Sequence, residues 1–97
     1  MLRHVVLFTW SDAADEARRE ETVAALRRLP DEVGGMSSFA VGPDAGLREG
    51  NAHTALVADF PDAEAWQRYA GHPVHLAIIE EHVTPWLATR TAAQYEV

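Results

Sequence analysis

The stretch RHVVLFTW, residues 3–10, decides the fold that we predict for this chain. It is dense in β-branched and aromatic residues, so we predict a β-strand. Successive side chains of a strand point to opposite faces. One face therefore carries His4, Val6, Phe8 and Trp10. The other face carries Val5 and Leu7, so both faces are largely apolar.

The segment after this strand has a helical pattern. Residues 11–29, SDAADEARREETVAALRRL, begin with the capping residues Ser11 and Asp12. Apolar residues then recur at helical spacing, which predicts an amphipathic helix. We expect this helix to end near Pro30 or in the turn before Gly34.

Four further segments complete the order of elements. They are a strand at 37–41 (SSFAV), a strand at 53–60 (HTALVADF), a helical region over 61–83 that breaks at His72 and stops near Pro85, and a strand at 88–97 (ATRTAAQYEV). The resulting order, β-α-β-β-α-β, is that of a ferredoxin-like α+β fold with helices on one face of an antiparallel sheet. With no linker or repeat visible, we expect one domain spanning residues 1–97.

Apolar residues on both faces of the strands need a reason, because helices in this topology cover one face only. The strand at 53–60 repeats the pattern, with Leu56, Ala58 and Phe60 on one face and Ala55 and Val57 on the other. A sheet with one wet face should alternate apolar with polar residues. We therefore predict a homodimer whose sheets pack face to face. The alternative is that central strands merely tolerate small apolar residues outside.

The composition excludes several classes of function. The formal charge is −7, all eight basic residues are arginines, and both lysine and cysteine are absent. An acidic chain is poorly suited to nucleic acid, whose phosphates must be neutralised. Lysine Schiff bases, disulfides and thiolate nucleophiles are excluded as well. No apolar run is long enough to span a membrane, so we expect no membrane partner and a cytoplasmic location.

The residues with catalytic potential are concentrated in YAGHPVHLAIIEEHV, residues 69–83, which holds three of the five histidines. Pro73 fits best in the first turn of a helix, so His72 is the predicted N-cap and His75 lies one turn inside. His82 lies beside two glutamates and is predicted to face solvent. Three histidines on one side could bind a metal, but the i, i+4 pair with an intervening glutamate is missing. We expect no metal site and no cofactor.

Two interpretations of His75 stay open from its position. A helix start disfavours the imidazolium, so a neutral His75 could act as a general base. Alternatively, it caps backbone groups in the first turn. Tyr69 could stabilise an enolate through its hydroxyl or be a core aromatic residue with a wet tip. His4 is an ordinary core histidine unless it meets Tyr69 or His75 across a cavity.

With RHVVLFTW at its start, ALVADF in the middle, YAGHPVH after it and AAQYEV at its end, the chain resembles the stress-responsive dimeric α+β barrel (Dabb) family over nearly its whole length. The resemblance implies a ferredoxin-like protomer whose sheets pair into a dimeric α+β barrel. Many family members have no established activity, and related barrels include cofactor-free monooxygenases. Fold membership therefore does not specify a function.

Within that family, the chain is similar to the plant olivetolic acid cyclase, which closes a linear poly-β-ketone thioester by an aldol reaction. The resemblance implies that His75 and Tyr69 are the catalytic pair and that His4 lies in the pocket. It implies pocket walls formed by Val6, Phe8, Leu56 and Ile78. Two pocket residues of that enzyme are not matched; their places fall near Leu26 and Thr54, with His53 one position off.

Our leading hypothesis is a cofactor-independent cyclase or lyase acting on a polyketide-like carbonyl substrate. His75 would remove a proton between two carbonyl groups, while Tyr69, with His4, would hold the enolate oxygen. One alternative is a dimeric stress-response or small-molecule-binding protein without catalysis. Another is a cofactor-free monooxygenase. The expected ligand is small and apolar or polyketide-like.

Overall fold

The computed structural model describes residues 1–97 and contains one antiparallel sheet of four strands. Its spatial order is β2-β3-β1-β4. The strands are β1 (Leu2–Trp10), β2 (Ser38–Pro43), β3 (Thr54–Phe60) and β4 (Leu87–Glu96). The predicted ferredoxin-like α+β fold is confirmed, with each strand within two residues of its predicted bounds.

The helical layer consists of more pieces than the sequence pattern suggests. Its α-helices are α1 (Glu16–Leu26), α2 (Leu29–Glu32), α3 (Ala63–Ala70) and α4 (Pro73–Ile78). A π-helical turn (Ile79–Val83) and a 3-10 turn (Thr84–Trp86) follow α4 and lead into β4. None of these helices has the length and hydrophobicity of a membrane-spanning segment.

The first helix begins later than predicted. Its N-cap is Asp15, whose side chain accepts a hydrogen bond of 2.8 Å from the backbone N–H of Arg18. Ser11 instead forms a turn, because its carbonyl accepts from the N–H of Ala14 at 3.0 Å. That turn buries Ala14 in the core, and the burial explains why the helix does not start at the earlier capping residues.

The helix predicted to run to Val83 changes its winding after Ile78. A π turn places residues five apart on the same side of a helix. Ile78 and Val83 are five apart, and both are buried, at 4 % and 1 % exposure. Packing of both side chains against the sheet therefore accounts for the wider turn, which periodicity in the sequence does not reveal.

The core lies between the helices and the inner face of the sheet. That inner face includes the predicted set from β1, since His4, Val6, Phe8 and Trp10 are all buried. The helices contribute Val23, Leu26 and Leu29 from the first half of the chain and Tyr69, Ile78 and Val83 from the second. Trp10 also satisfies its buried indole N–H by donating to the Thr54 hydroxyl at 2.9 Å.

The outer face of the sheet carries an apolar strip with no helix over it. Leu7 pairs with Ala55 in β3, and Val5 pairs with Val57 in β3 and Ala93 in β4. Leu7 is 40 % exposed. The predicted apolar character of both faces is therefore present in the folded chain.

The helical layer does not extend over the edge strand β4. Every residue of β4 after Leu87 is exposed. Register with β1 places Arg90 beside Phe8 and Gln94 beside His4, so both residues belong to the inner face. This uncovered edge gives the space under the helices an opening.

Candidate functional site

A cavity of about 250 Å³ lies between the inner face of the sheet and the helical region from Tyr69 to Leu87. Its walls include His4, Tyr69 and His75, which the sequence singled out as candidates. The apolar lining consists of Val6, Phe8, Leu56, Ile79, Val83 and Leu87. The three candidates therefore share one mostly apolar space, which is the usual character of a small-molecule site.

The break between α3 and α4 brings Tyr69 and His75 together. Tyr69 lies in the last turn of α3, which ends at Gly71. His72 then caps α4, because its Nδ1 accepts from the backbone N–H of Val74 at 3.1 Å. Pro73 occupies the first turn, as predicted. The sharp change of direction leaves the Tyr69 and His75 rings 4.4 Å apart, centroid to centroid.

A backbone hydrogen bond determines which nitrogen of His75 carries the proton. Its Nδ1 lies 3.0 Å from the carbonyl oxygen of Ala70. A carbonyl can only accept, so Nδ1–H is the donor. In the neutral ring, the lone pair is then on Nε2, which has no hydrogen-bond partner in the protein. His75 is thus arranged to accept a proton through Nε2.

The surroundings of His75 also favour its neutral form. Burial is the main cause that lowers its pKa, and the positive charge of Arg90 acts in the same direction. The hydrogen bond to Ala70 opposes this lowering only in part. From the sequence, the helix start was expected to favour neutral His75. In the folded chain, desolvation is the main cause of the lowered pKa of His75.

Tyr69 is held as a neutral hydroxyl. It is 3 % exposed and packs against Phe60, with the ring centroids 5.0 Å apart. Burial raises the pKa of Tyr69 to about 12, although the charge of Arg90 opposes the rise. The hydroxyl keeps its proton at neutral pH and has no acceptor in the protein. It is therefore available as a hydrogen-bond donor inside the cavity.

His4 has the opposite tautomer to His75. The side-chain amide nitrogen of Gln94 donates to its Nδ1 at 2.8 Å. Neutral His4 therefore carries its proton on Nε2 and can donate from there. Burial, followed by the charges of Arg90 and His75, lowers the pKa of His4 to about 4. One neutral imidazole is thus arranged to accept a proton and the other to donate a hydrogen bond.

Arg90 is a cavity residue that sequence reasoning missed. It lies on β4 opposite Phe8 and contributes the only formally charged side chain of the lining at neutral pH. The alternation of β4 could have placed Arg90 and Gln94 on one face. It could not show that this face borders the same space as His4, since that depends on the pairing between β1 and β4.

Other candidates lie outside the cavity. Ile78 is buried in the core, and its neighbour Ile79 lines the cavity instead. The Nδ1 of His53 accepts from the backbone N–H of Trp10 at 2.9 Å, so His53 supports the end of β1. His82 was predicted to face solvent, yet its side chain is only 24 % exposed. No three histidine or carboxylate side chains converge as a metal-binding group.

A wider depression of about 1040 Å³ lies between α1 and the loop before β3. It is open, and its lining consists mainly of polar residues and of charged residues of both signs, among them Asp15, Arg19 and Asp44. It contains none of the groups whose protonation is set by burial. We therefore assign the candidate site to the smaller cavity, where the chemistry converges.

The comparisons with known proteins identify a family. The model of the stress-responsive A/B barrel domain, Dabb, matches residues 2–97. A dimeric ferredoxin-like protein of unknown function from Thermobifida fusca YX is 34 % identical, with a TM-score of 0.90 over 99 % of this chain and 90 % of that one. No curated protein matches the chain.

Two more distant structures share the fold. A Dabb family protein with a ferredoxin-like fold from Mesorhizobium loti is 21 % identical, with a TM-score of 0.83 over 99 % of this chain and 95 % of that one. A hydroxynitrile lyase from Passiflora edulis is 17 % identical, with a TM-score of 0.86 over 99 % and 92 %. At these identities the likeness concerns architecture alone.

Proposed function

The chain belongs to the stress-responsive A/B barrel domain (Dabb) family, and we propose that it is a cofactor-independent enzyme that deprotonates carbonyl compounds. The proposal rests on one observation above all. The hydrogen bond from His75 Nδ1 to the Ala70 carbonyl leaves Nε2 as a free base, in a ring whose centroid is 4.4 Å from that of Tyr69 and in the same cavity lining. A base and a donor held together in an apolar space are what enolate formation requires.

The reaction that these groups support begins with proton transfer. His75 Nε2 takes a proton from a carbon between two carbonyl groups, and the electron pair moves onto a carbonyl oxygen. Tyr69 O–H and His4 Nε2–H donate to that developing enolate. The enolate carbon then attacks a second carbonyl carbon of the same molecule and forms a C–C bond. The resulting alkoxide recovers the proton from His75, so no cofactor takes part.

We propose a polyketide-like poly-β-carbonyl compound as the substrate class. Such a compound supplies both the acidic carbon and the internal electrophile that an aldol cyclisation needs. The apolar walls formed by Val6, Phe8 and Leu56 suit its carbon chain. The likeness to olivetolic acid cyclase, noted from the sequence, points to the same class. The activity is that of a cyclase when the new C–C bond closes a ring, and that of a lyase when the same step runs in reverse and breaks the bond.

We also propose that the protein is a homodimer whose outer sheet faces pack together into a barrel. The apolar strip around Val5, Leu7 and Val57 has no helix over it, and burying it would stabilise the association at about 25 cal/mol per Å². The relative from Thermobifida fusca is itself dimeric.

Deuterium exchange tests the central step directly. Pentane-2,4-dione in heavy water would be followed by NMR with wild type, His75→Gln and the matched variant His82→Gln. We expect wild type and His82→Gln to accelerate exchange at the central carbon and His75→Gln to lose about 100-fold or more. Poly-β-keto thioesters analysed by mass spectrometry then test cyclisation. Equal exchange by wild type and His75→Gln would refute the proposal.

A non-catalytic small-molecule-binding role is the second candidate, and the mostly apolar lining favours it. It predicts that the same diketone binds without faster exchange. Calorimetry with wild type and His75→Gln would then show a change in affinity while both exchange rates equal the buffer rate.

A further inference from the structure

The lining of the 250 Å³ cavity contains one unpaired cation. The cationic partners in the ion pairs of the protein are the N-terminal amine, Arg3, Arg18, Arg28 and His82, and Arg90 is in none of them. Arg90 lies on the strand that the helical layer leaves uncovered, at the open side of the cavity. No carboxylate of the chain lines the cavity with it.

The position of Arg90 directs its charge towards the reacting groups. Its backbone pairs with Phe8, four residues along β1 from His4, which corresponds to about 13 Å of strand. A guanidinium extends several ångströms beyond its backbone. Consistent with that reach, the charge of Arg90 contributes to the shifted pKa values of His4, Tyr69 and His75 alike. The same charge therefore acts on the interior where a ligand would lie.

We propose that Arg90 binds a carboxylate group of the ligand, so that the cavity selects carboxylate-bearing compounds over neutral ones of the same shape. A guanidinium matches a carboxylate with two parallel hydrogen bonds. Arg90 is exposed at the cavity opening, so an entering carboxylate can reach it. The ligand then lies with its anionic end at the level of Phe8 and its carbon chain against Val6. If the proposed reaction takes place, the ketone of this ligand lies between Tyr69 and His75. Only this placement of the ketone rests on the proposed function; the carboxylate site does not.

This proposal narrows the substrate class. A poly-β-carbonyl substrate would enter as a free acid, or with another carboxylate, and not as a neutral thioester at that end. Arg90 would act as a binding and specificity residue. It would also place a positive charge near the enolate without exchanging a proton, because a guanidinium stays protonated.

The test compares octanoate with octanamide, which have the same chain and differ in charge, by calorimetric titration. Wild type is expected to bind octanoate about tenfold more tightly than octanamide. Arg90→Gln is expected to lose that preference and Arg90→Lys to keep part of it. Arg48→Gln, which removes an exposed arginine from the loop before β3, should keep all of it. Unchanged melting temperatures would show that the variants fold.

Two results would overturn the proposal. One is an equal preference for octanoate in wild type and Arg90→Gln. The other is a change of oligomeric state in Arg90→Gln with no change in preference, which would assign Arg90 to an interface between copies. The titration involves no proton transfer from carbon. A preference for octanoate without accelerated diketone exchange would therefore support the carboxylate site and reject the enzymatic proposal. Accelerated exchange without a preference for octanoate would reject only the carboxylate site.

Discussion

The rings of Tyr69 and His75 lie 4.4 Å apart at 41° to each other, on either side of the break between α3 and α4. On one continuous α-helix, two side chains six residues apart would point to different sides of the helix. They meet because Gly71 ends one helix and Pro73, behind the capping His72, begins the next in a new direction. The helix break is thus the structural device that assembles the candidate site.

Tyr69→Phe should remove the proposed oxyanion donor and leave the fold intact. The hydroxyl has no partner in the protein, so its loss leaves no buried group unsatisfied. We expect the turnover of a cyclising substrate to fall about 10²-fold or more, with a melting temperature close to that of wild type. Tyr95→Phe, the same change on an exposed tyrosine, should have wild-type turnover. Full activity in Tyr69→Phe would show that the hydroxyl is only a packing group.

The exchange rate should depend on pH through His75. Its pKa is lowered, chiefly by burial, so the unprotonated base persists to more acidic pH than an ordinary histidine would. We expect a plateau through neutral pH and an acid limb that begins below the ordinary histidine pKa of about 6.5. Exchange of pentane-2,4-dione, measured by NMR from pH 4.5 to 8.5, would locate the limb. A midpoint above 6.5 in wild type would contradict the assignment, and His82→Gln should leave the midpoint in place.

His4 should make the fold sensitive to acid. Its pKa is about 4 in the folded chain, against about 6.5 when unfolded. The unfolded state therefore binds more protons as pH falls from 6.5 towards 4, and stability is lost across that window. The loss attributable to His4 is on the order of 3 kcal/mol. The lowered pKa of His75 adds a loss in the same direction.

Urea unfolding at pH 7 and pH 4.5 measures this effect. The difference between the two free energies of unfolding should be smaller in His4→Gln than in wild type, because glutamine does not titrate. His82→Gln should show the wild-type difference, since its ring is not buried in the cavity. If His4→Gln and wild type lose the same stability, His4 does not carry the acid sensitivity.

Local rules in the sequence predicted the parts of the site that depend on neighbouring residues. Pro73 identified His72 as a cap, and alternation placed His4 on the same strand face as Val6, Phe8 and Trp10. Both assignments follow from interactions within a few residues. The fold class followed for the same reason, since strand and helix patterns in β-α-β-β-α-β order leave few topologies.

Long-range packing decided what the sequence did not reveal. Arg90 borders the cavity because β4 pairs with β1 in one particular register, which no local pattern specifies. Ile79 lines the cavity in place of Ile78 at the point where α4 passes into the π turn, a change of winding that periodicity in the sequence does not indicate. Each of these features is a response of one element to another that is distant in the chain.

The apolar strip on the outer sheet face predicts the effect of a charge at its centre. Leu7 is 40 % exposed there and pairs with Ala55. If the strip is a dimer interface, Leu7→Glu would bury two unpaired carboxylates about the symmetry axis, which strongly disfavours association. We expect light scattering after size exclusion to show wild type as a dimer and Leu7→Glu as a monomer at micromolar concentration. Leu47→Glu, the same change on a loop leucine that is 90 % exposed, should remain dimeric. Equal masses for wild type and Leu7→Glu would mean that this face does not hold two copies together.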